Sequence, residues 1–346
     1  MKIAVCGTGQ WAEQHIKEIG RHPFFDVAMI YSENLSRARR LAEKVNLPYS
    51  DNINDILACE EIECFDIVTT NNRHFPYSLQ ALGASKHVIV EKPAVFKLRE
   101  LEELVNLARE KNKIILIGFQ KKLGEIYKRV TKEYHNNKYG DPIYALSNVI
   151  VPRKRAYFNE RQSSRDISGG GVLIYSAVHE LDMMINLFGK VERIFGYYEN
   201  ISHDLPVEDT ANLTLVFQNG VVYNLFTTYA DTPRSLLFRN KNFFIENEVA
   251  FENRHIIFSE FHMHAFKEWG LHLPGLGRAL ISYSFNRYLK PKRGTFYDVL
   301  TELYNSLHQP DYNSVLAAGN SCETHRVIEY FYDNCVSQSR IKGTEK

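Results

Sequence analysis

Three polar side chains in the second half of the chain are spaced to do proton chemistry. Tyr175, His179 and Asp182 stand at positions i, i+4 and i+7 of a helix predicted over 172–188, and therefore on one face of it. Imidazole gains and loses a proton near neutral pH, so His179 is suited to act as a general acid and base. The phenol of Tyr175 could donate a hydrogen bond to a substrate oxygen or orient His179. The same face could also pack on a sheet as satisfied core polar groups.

A glycine turn near the start of the chain could hold a phosphate. The run Gly7-Thr8-Gly9-Gln10-Trp11-Ala12 follows a predicted strand, 2–6, and opens a predicted helix, 11–20. Glycines permit a tight turn and a close approach of the backbone to a pyrophosphate, and the helix N-terminus offers free N–H donors. At this spacing the run predicts a dinucleotide-binding site of the Rossmann kind.

The end of the second predicted strand, 26–31, bears on which dinucleotide binds. A carboxylate there would hold the ribose 2′-hydroxyl of NAD and repel the 2′-phosphate of NADP. Ser32 stands where that acid usually lies, and Arg37 is near enough in sequence to reach a phosphate. These two residues favour NADP over NAD. A shift of one residue would make Glu33 the acidic partner of NAD, and Arg37 could be no more than part of a solvated helix face.

Short strands and helices alternate in the first third of the chain, and they must position the glycine turn. The predicted strands are 2–6, 26–31, 65–70, 87–91 and 113–118. The helices between them are predicted at 11–20, 35–45, 53–58, 75–85 and 97–111. Strands alternating with helices of this length predict a doubly wound parallel sheet, that is, a Rossmann domain over residues 1–121.

The rest of the chain follows a different pattern. After a helix at 124–136, strands are predicted at 143–151, 191–200, 211–218, 221–229 and 235–246. Asn219-Gly220, between two of these strands, is typical of a type I′ hairpin turn. Successive strands with few helices predict an α+β domain over residues 122–346, built on an open, mostly antiparallel sheet. Its C-terminal helix could pack back on the first domain.

Composition limits the classes of partner. The 346 residues carry a formal net charge of +1, which gives no broad field to attract nucleic acid. No apolar run reaches the roughly 18 residues that a membrane span needs, and the chain opens directly into a strand rather than a signal peptide. Its five cysteines form no CxxC pair and indicate reduced thiols. We therefore expect a cytoplasmic protein without a nucleic-acid partner or a membrane span.

Three motifs resemble those of a known enzyme family. Thr69-Thr70-Asn71-Asn72-Arg73-His74 matches a TPN-x-x-H turn with Thr70 in place of the proline, and Glu91-Lys92-Pro93 matches an EKP motif. The run from Gly169 to Asp182, GGGVLIYSAVHELD, matches the signature GGGxLxDxGxHxxD. With these motifs in this order, nearly the whole chain resembles the Gfo/Idh/MocA family, named for glucose–fructose oxidoreductase and inositol dehydrogenase.

The resemblance implies what the chain does. It implies an NAD or NADP cofactor and the reversible oxidation of a secondary alcohol, usually on a sugar or cyclitol. Lys92 would touch both the nicotinamide ribose and the substrate, and His179 would be the acid and base. The open sheet would often form an oligomer interface, so we expect a homodimer or homotetramer. The remaining cofactor residues implied by the motifs are Thr69, Thr70, Asn71, Asn72, His74 and Glu91.

The chain departs from the family signature at two positions. The family's aspartate falls on Tyr175 and its glycine falls on Ala177. Family members that use a catalytic tyrosine commonly do so in place of the histidine, whereas this chain has Tyr175 together with His179. A catalytic role for Tyr175 and a role in orienting His179 both remain open.

A cluster of basic residues precedes the glycine run. In the family this segment borders the substrate pocket, and guanidinium groups suit a phosphate or pyrophosphate on the substrate. A solvated basic loop explains the cluster equally well. The cluster comprises Arg153, Lys154, Arg155, Arg161 and Arg165. The residues expected to contact substrate are Lys92, Arg153, Arg165, Tyr175, His179 and Asp182.

The stretch 254–293 is longer than the family usually has here. Its histidines, His255, His262, His264 and His272, match no familiar zinc spacing, so we expect no metal site. Leucines and aromatic residues alternate with basic ones over 273–293, which could form an amphipathic segment for a membrane surface or a partner. We favour a helix that covers the open sheet.

The sequence thus predicts an NAD(P)-dependent oxidoreductase that acts on a sugar, a cyclitol or a nucleotide-linked sugar. Two other functions are known on this fold. One is a glycoside hydrolase that oxidises its substrate transiently with tightly held NAD. The other is a non-catalytic sensor that binds a dinucleotide and a sugar. Lys92 and His179 argue against the sensor, while Tyr175 in place of the aspartate keeps it open.

Overall fold

The first part of the chain alternates strands and helices. The structure, a computed structural model, describes residues 1–158, 164–230, 244–260, 263–266 and 292–335. Its first elements are β1 (Lys2–Cys6), α1 (Gln10–Ile19), β2 (Asp26–Tyr31), α2 (Leu35–Val45), β3 (Tyr49–Ser50), α3 (Ile53–Leu57), β4 (Ile62–Ile67), α4 (His74–Gly83), β5 (His87–Val90), α5 (Leu98–Glu110), β6 (Ile115–Ile117) and α6 (Glu125–His135).

Six of these strands form one parallel sheet in the order β3-β2-β1-β4-β5-β6. This is the doubly wound order in which the strand sequence reverses between β1 and β4. The central strands are apolar and buried on both faces, as a parallel sheet covered by helices requires. The predicted Rossmann fold is confirmed. The short strand β3 was not predicted, since two residues give no recognisable period.

The second part of the chain builds another sheet. Its elements are β7 (Pro142–Ile150), α7 (Arg165–Ser168), α8 (Val178–Phe188), β8 (Val191–Glu199), β9 (Thr210–Phe217), β10 (Val222–Thr228), β11 (Phe244–Phe251), β12 (His255–Phe258), β13 (Met263–Phe266), α9 (Phe296–His308) and α10 (Cys322–Asn334). The strand order is β13-β12-β11-β7-β10-β9-β8, and every pair is antiparallel except β7 with β10. This confirms the predicted open, mostly antiparallel sheet.

The chain divides into two compact units that are not continuous in sequence. The first consists of Met1–Lys128, Asp166–Gly169 and Lys292–His325. The second consists of the described residues within Arg129–Arg165, Gly170–Pro291 and Arg326–Lys346. In the first unit the ring of Phe296, at the start of α9, stacks on His15 of α1 at 3.6 Å. The helix α9 therefore packs with the Rossmann sheet although it lies almost three hundred residues along the chain.

The predicted hairpin forms with a different turn. The residues of β9 and β10 pair antiparallel around Asn219-Gly220, and the Gly220 N–H donates to the Phe217 carbonyl at 2.9 Å. A type I′ turn needs a positive φ at both central residues. Gly220 has φ +87°, but the φ of Asn219 is not positive. The type I′ prediction was therefore wrong. The turn is instead a longer one that ends on a left-handed glycine.

The described part of the stretch 254–293 adds two strands to the second sheet. Residues 255–258 and 263–266 form strands that extend the sheet from β11. Alternate residues Ile256 and Phe258 are buried, so these residues follow the strand period rather than the helical one. The predicted amphipathic segment over 273–293 lies mostly outside the described residues, as do the predicted strand over 235–243, His262 and His272. No helix in the described ranges is long and apolar enough to cross a membrane.

Candidate active site

The glycine turn of the first unit leaves a helix N-terminus open. Gly9 is the N-cap of α1, and no side chain caps the helix. A Cβ built on Gly9 meets nothing within 4 Å, whereas one on Gly7 would lie 2.3 Å from the Val68 carbonyl oxygen. Only glycine therefore fits at position 7, and the space at Gly9 lets an anion approach the uncapped N–H groups. This turn fits the pyrophosphate of a dinucleotide.

The charge at the end of β2 is paired within the first unit. The Glu33 carboxylate accepts from Arg73 at 3.0 Å and from the Tyr77 hydroxyl at 2.7 Å. Ser32 Oγ accepts from the Asn34 N–H at 3.3 Å. The side chain of Arg37, in the first turn of α2, is exposed. The negative charge of Glu33 is thus compensated by Arg73, a residue that the sequence analysis did not consider.

The loop that follows β4 is held by hydrogen bonds within itself and by one to the end of α7. Asn71 Nδ2 donates to the Ser168 carbonyl at 2.9 Å, and Thr70 Oγ1 donates to Asn72 Oδ1 at 2.8 Å. Thr69 Oγ1 donates to the carbonyl of the next residue at 3.3 Å. Among these groups the Asn72 side chain is exposed, so it is the one best placed to meet a cofactor.

His74 braces the turn that carries Lys92. The imidazole is 1% exposed, and its Nδ1 donates to the Pro93 carbonyl at 2.7 Å. Burial lowers the pKa of His74 to about 4, so the ring is neutral at physiological pH. A buried ring that bonds the backbone beside Lys92 serves to position that lysine. The half-buried Lys92 side chain follows directly from β5.

A buried histidine and two carboxylates lie next to the turn that carries Lys92. His15 Nδ1 donates to Asp66 at 2.9 Å, and its Nε2 lies 3.6 Å from Glu91 Oε1. Burial lowers the pKa of His15, but the Asp66 charge outweighs it, so the pKa is raised. Burial likewise raises the pKa of Glu91, against the opposing effect of His15 and Lys92. Gly118 makes room for the Glu91 carboxylate, because a Cβ at position 118 would lie 2.7 Å from Oε1.

In the second unit, Glu208 caps the start of the segment that bears Tyr175 and His179. Its carboxylate accepts from the Gly171 N–H at 2.8 Å, the Leu173 N–H at 3.2 Å and the Tyr332 hydroxyl at 2.7 Å. A Cβ on Gly171 would lie 1.8 Å from the Glu208 carbonyl oxygen, so the glycine is required there. Burial raises the pKa of Glu208 against these hydrogen bonds.

The predicted uniform α-helix over 172–188 was wrong in its first turn. Residues Leu173–Ala177 form a wider π-helical turn, and α8 begins only at Val178. Such turns insert an extra residue and are frequent at functional sites. The insertion changes the angular relation between Tyr175 and His179. Tyr175 is half-exposed, whereas His179 is 8% and Asp182 1% exposed, which makes Asp182 a poor candidate for direct substrate contact.

Phenols gather around Tyr175 in the second unit. Burial raises the pKa values of Tyr157 and Tyr229, and the nearby Tyr175 phenol raises both further. The Tyr229 hydroxyl lies 2.6 Å from Ser176 Oγ, and the ring centroids of Tyr157 and Tyr229 are 6.5 Å apart. The half-exposed end of the helical segment is therefore surrounded by hydroxyl groups and aromatic faces, which suit a polyhydroxylated ligand.

The structure separates the members of the basic cluster. The guanidinium of Arg153 lies over the Tyr157 ring, with 4.6 Å to its centroid. Arg155 donates to the Phe158 carbonyl at 3.3 Å, and Arg165 lies 5.2 Å from the centroid of Tyr332. Lys154 is exposed, and Arg161 lies outside the described residues.

The histidines of the stretch 254–293 give no metal centre in the described ranges. His255 Nε2 lies 2.8 Å from Glu248 Oε1 at the sheet surface. Over those ranges no three His, Cys, Asp or Glu side chains are grouped to hold a metal ion.

Several supporting residues were not found by sequence reasoning. Asp66 had a usable signal, because an acid inside an apolar strand must be paired when it is buried. His15, Arg73 and Glu208 had none, since each acts on a residue at least twenty positions away.

Two family models match the chain. A model described as the oxidoreductase family with an NAD-binding Rossmann fold covers residues 1–119. A model of the Gfo/Idh/MocA C-terminal domain covers residues 127–247. Together they cover more than half of the chain.

The chain is similar to bacterial dehydrogenases. It is 25% identical to D-glucoside 3-dehydrogenase of Escherichia coli, over 70% of this chain and 74% of the relative. It is 24% identical to UDP-N-acetylglucosamine 3-dehydrogenase of Acidithiobacillus ferrooxidans, over 65% of this chain and 66% of the relative. An uncharacterized oxidoreductase of Synechocystis sp., 25% identical, is matched over 63% of its own length. The match thus spans less than two thirds of two of these relatives.

A solved structure shares the fold over almost the whole chain. The WlbA dehydrogenase of Bordetella pertussis, in complex with NADH and UDP-GlcNAcA, is 17% identical with a TM-score of 0.81, over 96% of each chain. At that identity the likeness shows the fold alone. Because the family models match both parts of the sequence, the chain belongs to the Gfo/Idh/MocA oxidoreductase family.

Proposed function

We propose that the protein is an NAD(P)-dependent dehydrogenase or reductase. It transfers a hydride reversibly between a nicotinamide and a secondary alcohol of a sugar, cyclitol or nucleotide-linked sugar. The observation that carries the proposal is that one chain holds both an uncapped glycine turn at α1 and a capped helical segment presenting Tyr175 and His179. Relatives named as dehydrogenases of a glucoside and of a nucleotide sugar support the substrate class.

Each functional residue has a proposed role. The N–H groups at the start of α1 bind the pyrophosphate of the dinucleotide, which supplies the hydride acceptor or donor. Lys92 places a positive charge at the carbinol oxygen, which stabilises the developing alkoxide. His179 takes the hydroxyl proton during oxidation and returns it during reduction. Tyr175 donates a hydrogen bond that orients the substrate, and the buried Asp182 positions the helix.

An activity screen tests this proposal. The protein is mixed with oxidised cofactor and a panel of free sugars, cyclitols, sugar phosphates and nucleotide sugars. Nicotinamide absorbance then reports cofactor reduction. At least one panel member should give net reduction, and a panel in which neither oxidation nor the reverse reaction occurs would contradict the assigned activity.

We further propose that NADP is the preferred cofactor. No acid stands at Ser32, the charge of Glu33 is compensated by Arg73, and Arg37 is exposed nearby. A 2′-phosphate would therefore meet little repulsion and up to two guanidinium groups. Trp11, 64% exposed beside the turn, offers a fluorescent reporter once Trp269→Phe removes the other tryptophan.

The Ser32→Asp variant should reverse this preference. A new carboxylate at that position repels the 2′-phosphate, so NADP affinity should fall by about tenfold or more, which is ~1.4 kcal/mol. Affinity for NAD should hold or rise. Ser32→Asn, of the same shape but uncharged, is the matched control. Tighter binding of NAD than NADP by the unmodified protein would contradict the proposal.

We propose that the partner of the second unit is another copy of the chain. Alternate residues on one face of its sheet are exposed among the described residues: Phe195 (54%), Val222 (44%), Tyr197 (38%) and Tyr144 (37%). The register pairs Val222 with Tyr144 and places Phe195 and Tyr197 on the same face of the sheet, on the far side of β9. Five cysteines without disulfides support a reducing, cytoplasmic location.

The Phe195→Glu variant should weaken this assembly. Charge at the centre of an apolar interface is costly to bury, so sedimentation should show smaller species than the unmodified protein. Leu35→Glu, an exposed apolar residue of the first unit, is the control. A monomer in both unmodified and variant protein would contradict the proposal.

A further inference from the structure

Arg153 lies half-buried in the second unit without an anionic partner. Its Nε is buried and has no hydrogen-bond partner, and the guanidinium lies on the Tyr157 ring. In the part of the chain that the structure describes, no carboxylate forms an ion pair with Arg153. Partial burial of a cation without a counter-charge carries a desolvation cost. A ligand that brings the missing negative charge would remove that cost.

The backbone that carries Arg153 is fixed on both sides. Its N–H donates to the Tyr229 carbonyl at 3.0 Å, and its carbonyl accepts from His203 Nε2 at 2.6 Å. The other nitrogen of His203 lies 2.8 Å from Asp209 Oδ2. Asp209 also accepts from the Ile201 N–H at 2.9 Å, and these hydrogen bonds keep its pKa below the ordinary value although burial opposes them. A side chain held in this way binds a ligand with little loss of entropy.

The basic neighbours are engaged differently. The Arg155 guanidinium bonds a carbonyl of its own loop, Arg165 lies on the Tyr332 ring, and Lys154 is exposed. Of the described members of the cluster, Arg153 thus combines partial burial with a buried Nε that has no hydrogen-bond partner.

The position of Arg153 connects it to the proposed reaction site within the same unit. Tyr157 lies beneath the guanidinium, and the nearby Tyr175 phenol raises the Tyr157 pKa in addition to the larger effect of burial. Tyr229, which accepts from the Arg153 N–H, bonds Ser176 through its hydroxyl. An anion bound at Arg153 would therefore belong to a molecule that also reaches the π-helical turn.

We propose that the substrate is acidic, and that Arg153 binds its carboxylate or phosphoryl group while its hydroxyl groups meet the phenols around Tyr175. The inference rests on the proposed function, since it names the substrate class of that site. Guanidinium forks match carboxylate and phosphate oxygens, which are the two sources of such an anion. The half-buried ring of Tyr157 would pack on the apolar side of a sugar.

Binding calorimetry with reduced cofactor present tests this without turnover of an alcohol. The probes are glucose, glucuronate, glucose 6-phosphate and UDP-glucose. The unmodified protein should bind at least one acidic probe more tightly than glucose. Arg153→Gln should lose about ten- to a hundredfold of that affinity, the usual scale for one charge-assisted contact, and leave glucose binding unchanged.

Matched variants distinguish a specific anion site at Arg153 from a general effect of positive charge on binding. Arg155→Gln, two positions away, should bind the acidic probe like the unmodified protein. Arg153→Lys keeps the positive charge but not the planar guanidinium, so its affinity for the acidic probe should lie between those of the unmodified protein and Arg153→Gln. This variant also keeps the test valid if Arg153→Gln does not fold. The preferred probe identifies the source: glucuronate a ring carboxylate, glucose 6-phosphate a phosphoryl ester, UDP-glucose a pyrophosphate.

Two results of the binding experiment would overturn the inference. One is binding of all three acidic probes no tighter than glucose, and the other is full acidic-probe affinity in Arg153→Gln. Because binding is measured separately from cofactor reduction, Arg153-dependent binding without any dehydrogenase activity would overturn the proposed function alone. Dehydrogenase activity on neutral sugars that is indifferent to Arg153 would overturn this inference alone.

Discussion

Turnover of His179→Ala should fall by about a hundredfold or more, the usual scale for losing a general base. Lys92→Ala should cause a loss of the same order, because the developing alkoxide then lacks its cation. Affinity for the cofactor should survive the His179 change, since the glycine turn that binds the pyrophosphate belongs to the other compact unit. Steady-state kinetics at saturating substrate, with cofactor titrations, measure both quantities.

His308 and Tyr175 provide the controls for this experiment. His308→Ala, at the exposed end of α9, should keep full turnover. Tyr175→Phe removes only the hydroxyl and should raise the Michaelis constant more than it lowers turnover if that group orients the substrate. Near-normal turnover in His179→Ala would show that another group is the general base. A large loss of turnover in Tyr175→Phe would then identify Tyr175 as that base.

Asp66→Ala should destabilise the protein by about 3–5 kcal/mol, the usual result of removing one partner of a buried ion pair. Asp66 is 0% and His15 is 2% exposed, so the stranded imidazole cannot be solvated without opening the Rossmann core. Urea denaturation gives the free energy of unfolding. Glu61→Ala breaks the surface pair with Lys2, where Glu61 is 71% exposed, and should leave the free energy of unfolding nearly unchanged.

The same pair predicts how stability varies with pH. The pKa of His15 is raised in the folded protein, so its contribution is fully present below the ordinary histidine pKa of 6.5. That contribution is lost as the pH rises through the raised folded value. In His15→Gln this decline should disappear.

An Asp66→Ala protein as stable as the unmodified one would show that the pair contributes nothing.

The Rossmann half could be predicted because its signals are local. The glycines of the turn, the strand before it and the helix after it are adjacent in sequence, and the structure places β1 and α1 within one residue of prediction. The return of α9 to the first unit had no such signal. The stacking of Phe296 on His15 joins residues almost three hundred positions apart.

The second unit was harder to predict for a physical reason. The π-helical turn depends on a cap from Glu208, far along the chain, so the apolar period of 172–188 alone indicated a regular helix. Likewise, Arg153 and Arg155 are equivalent in sequence, and only their surroundings distinguish them. Sequence spacing specifies which residues share a segment, but burial and distant partners decide which of them can act.

The proposed reaction is tested most directly by following one hydrogen atom. A substrate from the activity screen is labelled with deuterium at its carbinol carbon and incubated with oxidised cofactor, and the recovered nicotinamide is analysed by mass spectrometry. If the protein transfers a hydride, deuterium should appear in the reduced cofactor in step with formation of the ketone. Cleavage of a glycoside without label in the released cofactor would indicate a hydrolase that oxidises only transiently. Binding of cofactor and sugar with no transfer of label at all would contradict an enzymatic function and favour a sensor.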